Sequence, residues 1–261
     1  MAGFRSSMIS AGGKLAKEFG RRTSLARQPR PDGVSGPSAR LLLGELGDLK
    51  RPVPADIGYR ARRPQPVMVI PGFGSHPKRM KPLLSGLEQA GHTVEGWGLG
   101  FNLGPTPDNF EYLMRRVRNF ARQHGQPVAL VGWSLGGLFA REIARRQPEA
   151  VSLVITMGTP FSGDMHANNG WRAYQAITGH PVDDPPIDCD ISLKPPVRTV
   201  ALWSPRDGIV APRSAAGWPG ERDAAVALRC THMGFAYKPE VIEEVLRQLD
   251  AEDERGPPRC D

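Results

Sequence analysis

The sequence has few cysteines and no long apolar stretch, and each deficit excludes a class of protein. Cys189, Cys230 and Cys260 are too far apart for a CxxC pair or a metal-ligand pattern. A sparse, odd set of cysteines favours a reducing compartment over a disulfide framework, so we expect a cytoplasmic protein. No segment approaches the ~20 apolar residues of a membrane span. The first thirty residues also lack the continuous apolar stretch of a signal peptide.

Internal repeats and a nucleotide-binding motif are missing as well. The glycines nowhere form the G-x-x-x-x-G-K-[ST] loop that binds nucleotide phosphates. We therefore expect neither a cofactor nor a metal ion.

Positive charge is confined to one end of the chain. Residues 1–66 hold 13 Lys and Arg against 5 Asp and Glu, whereas residues 67–261 hold 21 against 22. The body of the protein is thus nearly neutral, so we expect no nucleic-acid partner despite the basic isoelectric point. We expect a basic, partly disordered extension rich in Pro, Gly and Arg over residues 1–66, a catalytic domain over 67–250 and a tail over 251–261.

The extension contains one amphipathic stretch. Its apolar residues are Met8, Ile9, Leu15 and Phe19, and its basic residues are Lys14, Lys17, Arg21 and Arg22. This pattern predicts either a weak contact with an anionic membrane surface or a solvated N-terminus. Binding of nucleic acid or membrane through residues 1–66 would be salt-sensitive and is compatible with catalysis. The oligomeric state is not indicated by the sequence.

From residue 67 onward, short apolar runs alternate with amphipathic segments. The apolar runs predict six strands: Val67–Ile70, Thr93–Trp97, Val128–Val131, Val151–Met157, Val197–Trp203 and Ala224–Leu228. Helices are predicted at Lys78–Ala90, from a cap at Asp108 to His124, at Leu138–Arg146 and at Pro239–Leu249, with a short one near Ser38–Leu49. This alternation predicts an α/β fold with a mostly parallel sheet of about six strands and helices on both faces. The chemistry should then lie at the carboxyl ends of the strands.

The third strand ends in a G-x-S-x-G motif, Gly132-Trp133-Ser134-Leu135-Gly136. Between a strand and a helix, this motif is typical of a strained turn that exposes a nucleophilic serine. The hydroxyl of Ser134 would lie at the N-terminus of the next helix, where a developing anion is favoured.

A serine hydroxyl needs a base, because it is scarcely ionised at neutral pH. Of the six histidines, His232 alone directly follows the last strand, and it precedes the last helix. Asp207 follows the fifth strand and is the predicted acid that orients the imidazole. The competing acids are Asp164, Asp183, Asp184, Asp188 and Asp190.

Two backbone N–H groups are the candidates for an oxyanion hole. One belongs to Leu135, directly after the predicted nucleophile. The other belongs to Phe73 in Pro71-Gly72-Phe73-Gly74-Ser75, the glycine-rich loop after the first strand. Each such donor is typically worth ~3 kcal/mol of transition-state stabilisation. A plain glycine-rich turn would show the same letters.

These motifs carry a resemblance to a known family. Residues 67–250 resemble the α/β-hydrolase superfamily. The glycine-rich loop, the serine motif and Gly158-Thr159-Pro160 are similar to those of compact bacterial lipases and esterases. Gly96–Gly100 with Asn102–Pro105 resembles lipase-like hydrolases too. The resemblance implies an α/β-hydrolase fold and the chain order Ser134, Asp207, His232. The first two strands of the full fold are not evident, and residues 1–66 have no counterpart.

The long gap at residues 161–196 is the place where relatives often insert a lid. Trp171 and Tyr174 within it, with Trp133, are the predicted contacts to an apolar substrate. We expect a lipase-like or esterase-like hydrolase that forms an acyl-enzyme from a small-molecule or lipid-like ester. A thioesterase or acyltransferase would use the same residues, and a non-catalytic binding module of this fold remains the alternative of another class. The segment could also be a surface excursion.

Overall fold

A six-stranded sheet forms the centre of the protein. The structure is a computed structural model, and it describes residues 16–49 and 57–251. All neighbouring strands pair in parallel, in the order β2-β1-β3-β4-β5-β6. The strands are β1 Pro66–Ile70, β2 Thr93–Gly96, β3 Val128–Trp133, β4 Val151–Met157, β5 Arg198–Trp203 and β6 Ala224–Ala227. The predicted six-stranded parallel sheet is confirmed.

Helices cover both faces of this sheet, because alternate strand residues face two separate apolar cores. One core packs α3 (Lys81–Ala90) and the last helix, Pro239–Asp250, on the sheet. The other packs α4 (Pro107–His124) and α5 (Leu135–Arg146) on the opposite face. On α4 the buried side chains recur every three or four residues, as an amphipathic helix requires: Phe110, Leu113, Val117 and Phe120.

The order of the strands creates a crevice at one edge. The chain places β2 on one side of β1 and β3 on the other, so the direction in which strands are added reverses there. The loops after β1 and β3 therefore diverge, and such a switch point is where parallel sheets bind ligands. Both of the glycine-containing motifs identified in the sequence lie at this point.

Three helix starts differ from the sequence prediction. Helix α4 is capped by Thr106, not Asp108: the Thr106 hydroxyl accepts from Asn109 N, and Pro107 occupies the first helical position. Proline is favoured there because its missing N–H would have no partner. Helix α5 begins at Leu135, three residues early, directly after the serine. The predicted Lys78–Ala90 helix is a 3-10 turn, Pro77–Met80, followed by α3.

Residues 16–49 pack against the domain. Residues 16–26 are helical (α1), and α2 (Ala39–Gly44) leads into the 3-10 turn Glu45–Leu49. In the amphipathic stretch, Phe19 is exposed, whereas Arg21 and Arg22 donate to the carbonyls of Gly179 and Ile177. The stretch's remaining residues before position 16, namely Met8, Ile9, Lys14 and Leu15, lie outside the described residues, as does the tail after residue 251. No helix among the described residues is long and apolar enough to cross a membrane.

Candidate active site

Ser134 stands at a sharp turn between β3 and α5. Its φ is +53°, and within residues 16–49 and 57–251 no other residue except glycine has a positive φ. Such a conformation costs free energy and persists only where surrounding contacts fix it. Here the Ser134 N–H donates to the Met157 carbonyl at 2.8 Å, and the Thr159 hydroxyl donates to the Ser134 carbonyl at 2.9 Å. The serine is partly exposed, as a nucleophile must be.

The turn leaves no room for side chains at the two flanking glycines. A Cβ on Gly132 would lie 2.4 Å from the Gly136 carbonyl oxygen, and one on Gly136 would lie 2.2 Å from the carbonyl oxygen of Ile70. Both contacts are with backbone atoms, which cannot move aside cheaply. The glycines thus allow α5 to pack closely against β1 and β3.

His232 and Asp207 form a buried pair beside this turn. His232 Nδ1 lies 2.8 Å from Asp207 Oδ2, and the two residues are almost fully inaccessible to solvent. The other carboxylate oxygen of Asp207 accepts from the N–H groups of Ile209 and Val210, each at 2.8 Å. The competing acid Asp164 pairs instead with His166. The carboxylate is thereby fixed towards the imidazole.

The pKa of His232 reflects opposing influences. Burial alone lowers it, but the charge and hydrogen bond of Asp207, together with the charge of Glu45, outweigh burial and place the pKa above its ordinary value. The Trp133 indole N–H also donates to the His232 carbonyl at 3.0 Å, with ring centroids 5.6 Å apart. Trp133 is buried, and it lines the cavity as well. Its contact with substrate stays a prediction.

Ser134 and His232 line one cavity, although no hydrogen bond joins them among the described residues. Such bonds are commonly long in unliganded enzymes and tighten when substrate binds. The Nε2 atom of His232 accepts or donates no hydrogen bond among the described residues, and it is the predicted acceptor of the serine proton.

The predicted oxyanion donors belong to two segments that adjoin Ser134, the loop after β1 and the start of α5. A Cβ on Gly72 would lie 3.1 Å from Ser134 Cβ, so the loop after β1 lies against Ser134. The Phe73 N–H has no hydrogen-bond partner within the described chain. Leu135 opens α5, and the first N–H groups of a helix lack intrahelical partners. Both groups are therefore free to bind an oxyanion.

Asn102 holds the loop that carries Phe73. It is fully buried: its side-chain amide donates to the Pro71 carbonyl at 2.8 Å, and its backbone carbonyl accepts from Gly74 N at 2.7 Å. In the sequence, the run Asn102–Pro105 stands out only by its resemblance to lipase-like hydrolases. An asparagine next to a glycine-proline turn carries no signal of its distant partner, so this role was missed.

The cavity in front of Ser134 has a volume of about 1590 Å³. Its lining is largely apolar, and the residues 161–196 contribute Trp171 and Tyr174 to it. These two pack with Val182 in a small cluster that also contacts Phe73 and Leu135. The rings of Tyr174 and Phe73 are 5.3 Å apart. The segment therefore lies over the same edge of the sheet as the predicted site.

Backbone bonds tie the 161–196 segment to the loop after β5. The Asn169 N–H donates to the Ile209 carbonyl at 2.7 Å, and the Ala211 N–H donates to the Ala167 carbonyl at 3.1 Å.

Within the described residues, no group of three or more His, Cys, Asp or Glu side chains is arranged to hold a metal ion.

Comparison with known proteins points to one family. A model of the alpha/beta hydrolase family matches residues 67–257. The pimeloyl-[acyl-carrier protein] methyl ester esterase of Aliivibrio salmonicida (strain LFI1238) is 30% identical over 112 residues, which are 42% of this chain and 41% of that protein. The match thus spans about two-fifths of that relative's length.

Two solved structures share the fold at low sequence identity. A lipase-esterase related protein from Clostridium acetobutylicum ATCC 824 has a TM-score of 0.53 and 15% identity, over 72% of this chain and 96% of that one. A membrane phospholipase A described as a bacterial virulence factor has a TM-score of 0.51 and 15% identity, over 96% of this chain and 98% of that one.

Proposed function

The chain belongs to the alpha/beta hydrolase family, and we propose that it is a serine hydrolase that cleaves carboxylic esters. Ser134 is the nucleophile, His232 the general base and Asp207 the acid that orients it. The observation that carries this proposal is the strained, partly exposed Ser134, which lines the same cavity as a buried histidine, His232, that is paired with Asp207. Esterase-type relatives support the reaction class.

The reaction follows from these positions. His232 takes the proton of the Ser134 hydroxyl as its oxygen attacks the acyl carbon, and the carbonyl oxygen becomes an oxyanion between the Phe73 and Leu135 N–H groups. His232 then returns the proton to the leaving alkoxide, which departs as the alcohol. Water, activated by the same imidazole, attacks the acyl-enzyme and releases the acid.

The cavity supports an apolar acyl group as the preferred substrate part. Its volume exceeds the ~300–1,000 Å³ of most small-molecule pockets. The 161–196 segment adds aromatic side chains to it and is proposed as the lid. We therefore favour a lipid-like ester. The cytoplasmic location and a membrane contact through residues 1–66 remain predictions from the sequence.

Replacing the nucleophile tests the proposal. A series of p-nitrophenyl esters of graded chain length would be assayed with wild type, Ser134→Ala and the control Ser75→Ala, which alters another serine of the same cavity. Ser134→Ala should lower kcat by on the order of 10⁶-fold and keep the fold, because only a partly exposed hydroxyl is removed. A fluorophosphonate probe should label wild type and Ser75→Ala alone.

The alternatives give different results. Labelling at a serine other than Ser134 would contradict the proposed nucleophile. Transfer of the acyl group to an added alcohol in preference to water would identify an acyltransferase. Faster hydrolysis of thioesters than of oxygen esters would identify a thioesterase. A wild-type protein that binds lipid-like esters without labelling or turnover would be the non-catalytic binding module.

A further inference from the structure

Glu45 is a buried carboxylate that the proposed reaction does not use. It opens the 3-10 turn after α2, in the segment that precedes the first strand, and it is 5% exposed. A buried charge is costly unless hydrogen bonds compensate it. Its surroundings therefore show what the carboxylate holds in place.

All three described hydrogen bonds to the Glu45 carboxylate come from the two catalytic loops. Oε1 accepts from the N–H groups of Gly208 at 2.8 Å and His232 at 2.7 Å, and Oε2 accepts from Met233 N at 2.9 Å. Gly208 directly follows the acid Asp207. One carboxylate thus joins the backbone of the acid loop to the backbone of the base loop.

Close packing surrounds this junction. A Cβ on Gly208 would lie 2.4 Å from the Leu41 carbonyl oxygen, so the backbone of α2 rests directly on the acid loop. Three residues beyond Glu45, the Asp48 carboxylate accepts from the hydroxyls of Thr231 and Tyr237, which lie on either side of His232 in the sequence. Residues 39–48 therefore contact both loops through backbone and side chains.

We propose that Glu45 is a positioning residue for the His232–Asp207 pair, which it holds from outside the cavity. This inference rests on the proposed hydrolase function. Hydrogen bonds to an ionised carboxylate are short and strong, so three of them hold the two loops at a fixed separation. The geometry of a catalytic pair has little tolerance, since a displacement of ~1 Å can lower the rate about 10²-fold.

The charge of Glu45 also acts on the imidazole. The charged groups that influence His232 are Asp207 from the loop after β5 and Glu45, while the rings against it are those of Trp133 and Phe235. Among the described residues, Arg79 is a cation that interacts electrostatically with Glu45. Removing the charge of Glu45 should therefore lower the pKa of His232.

Two substitutions separate geometry from charge. Glu45→Gln keeps an oxygen for Gly208 and His232 but turns an NH₂ group towards Met233 N, whereas Glu45→Ala removes all three bonds. We expect Glu45→Ala to lower kcat about 10²-fold at unchanged KM, because Glu45 does not line the cavity. Glu45→Gln should show a smaller loss of kcat, and the acid limb of its kcat/KM profile should move to lower pH. The matched control is Leu43→Ala, which alters an exposed side chain of the same segment and should behave as wild type.

The measurements are kcat and KM for p-nitrophenyl esters, thermal unfolding, and an NMR titration of the His232 ring, which does not depend on activity. A lower His232 pKa in Glu45→Gln supports the inference. If Glu45→Gln instead has the His232 pKa and the kcat of wild type, the inference is overturned. This test holds even if Glu45→Ala fails to fold. If wild type neither labels nor turns over, the proposed hydrolase function fails, and the NMR titration still decides whether Glu45 acts on His232.

Discussion

At the scale of single residues, the protonation of His232 controls the proposed reaction. The imidazole must be neutral to accept the Ser134 proton. Asp207 and Glu45 raise its pKa despite burial. As pH falls through that pKa, imidazolium forms and the base is lost. We therefore predict that kcat/KM decreases on the acid side with a midpoint above the ordinary histidine value of about 6.5.

The acid residue provides the control for this pH dependence. Asp207→Asn removes the charge that raises the pKa, so the midpoint should move to lower pH. The rate should also fall on the order of 10⁴-fold, because the amide favours the wrong tautomer of the imidazole. Asp164→Asn alters a second Asp–His pair, that of Asp164 and His166, in the same cavity. A rate loss and midpoint shift in Asp164→Asn, but not in Asp207→Asn, would contradict the assignment.

The sequence contains enough information to bring Asp207 and His232 together, but not to find Glu45. Asp207 and His232 each follow a strand, and the carboxyl ends of parallel strands meet at one edge. Glu45 binds backbone N–H groups more than 160 positions away. Every residue except proline has such a group, so no side-chain pattern indicates the partners.

At the scale of elements, the predicted strands were close to the observed ones and the helix starts were less so. The apolar run Val67–Ile70 is fully buried in β1, and a short continuous run of this kind is located well by its pattern. Helix starts depend on which side chain reaches the first free N–H groups. Thr106 and Asp108 are both suitable residue types, and Thr106 became the cap because Asn109 completes the reciprocal pair of bonds.

The 161–196 segment has a testable effect on chain-length preference. Tyr174 on α6 (Trp171–Thr178) lines the cavity and packs against Phe73. Tyr174→Ala should therefore reduce kcat/KM for p-nitrophenyl octanoate more than for the acetate. The two reductions should differ about fourfold for each methylene group that the tyrosine ring no longer covers, as ~0.8 kcal/mol per methylene implies.

Ile177→Ala is the matched control for this variant. It alters an exposed apolar residue of the same helix that does not line the cavity, so both esters should be hydrolysed as in wild type. Equal losses for acetate and octanoate in Tyr174→Ala would mean that Tyr174 supports the fold of the segment and does not contact the acyl chain.

At the scale of the whole molecule, residues 16–49 connect the 161–196 segment with the loops that carry Asp207 and His232. The buried amide of Gln175 donates to the Leu25 carbonyl at 2.7 Å, and Arg30 donates to the Asn168 carbonyl at 3.0 Å. Further along, the Asn169 amide donates to the carbonyls of both Pro37 and Gly208. The N-terminal segment thus crosses the proposed lid before its Glu45 reaches the catalytic loops.

Composition could not reveal this arrangement. The extension was distinguished by its charge and its Pro, Gly and Arg content, and those properties describe a solvated chain equally well. Several of the hydrogen bonds that hold it use backbone carbonyls, such as those of Leu25 and Pro37, as acceptors. These carbonyls become specific partners only in the folded domain. There Gln175 and Asn169 lie on the surface that residues 16–49 cross.

Two nested deletions would separate the contributions of the segment. A chain of residues 38–261 lacks the partners of Gln175 and Asn168 but keeps Glu45. We predict that it hydrolyses short esters nearly as well as the full chain, while residues 161–196 become easier to cleave by protease because their partners are gone. A chain of residues 50–261 also lacks Glu45 and should lose kcat about 10²-fold on every ester. If Glu45 accounts for this second loss, Glu45→Ala in the full chain reproduces it. A folded 50–261 chain with the activity of the full chain would instead show that the catalytic loops hold their geometry without the N-terminal segment.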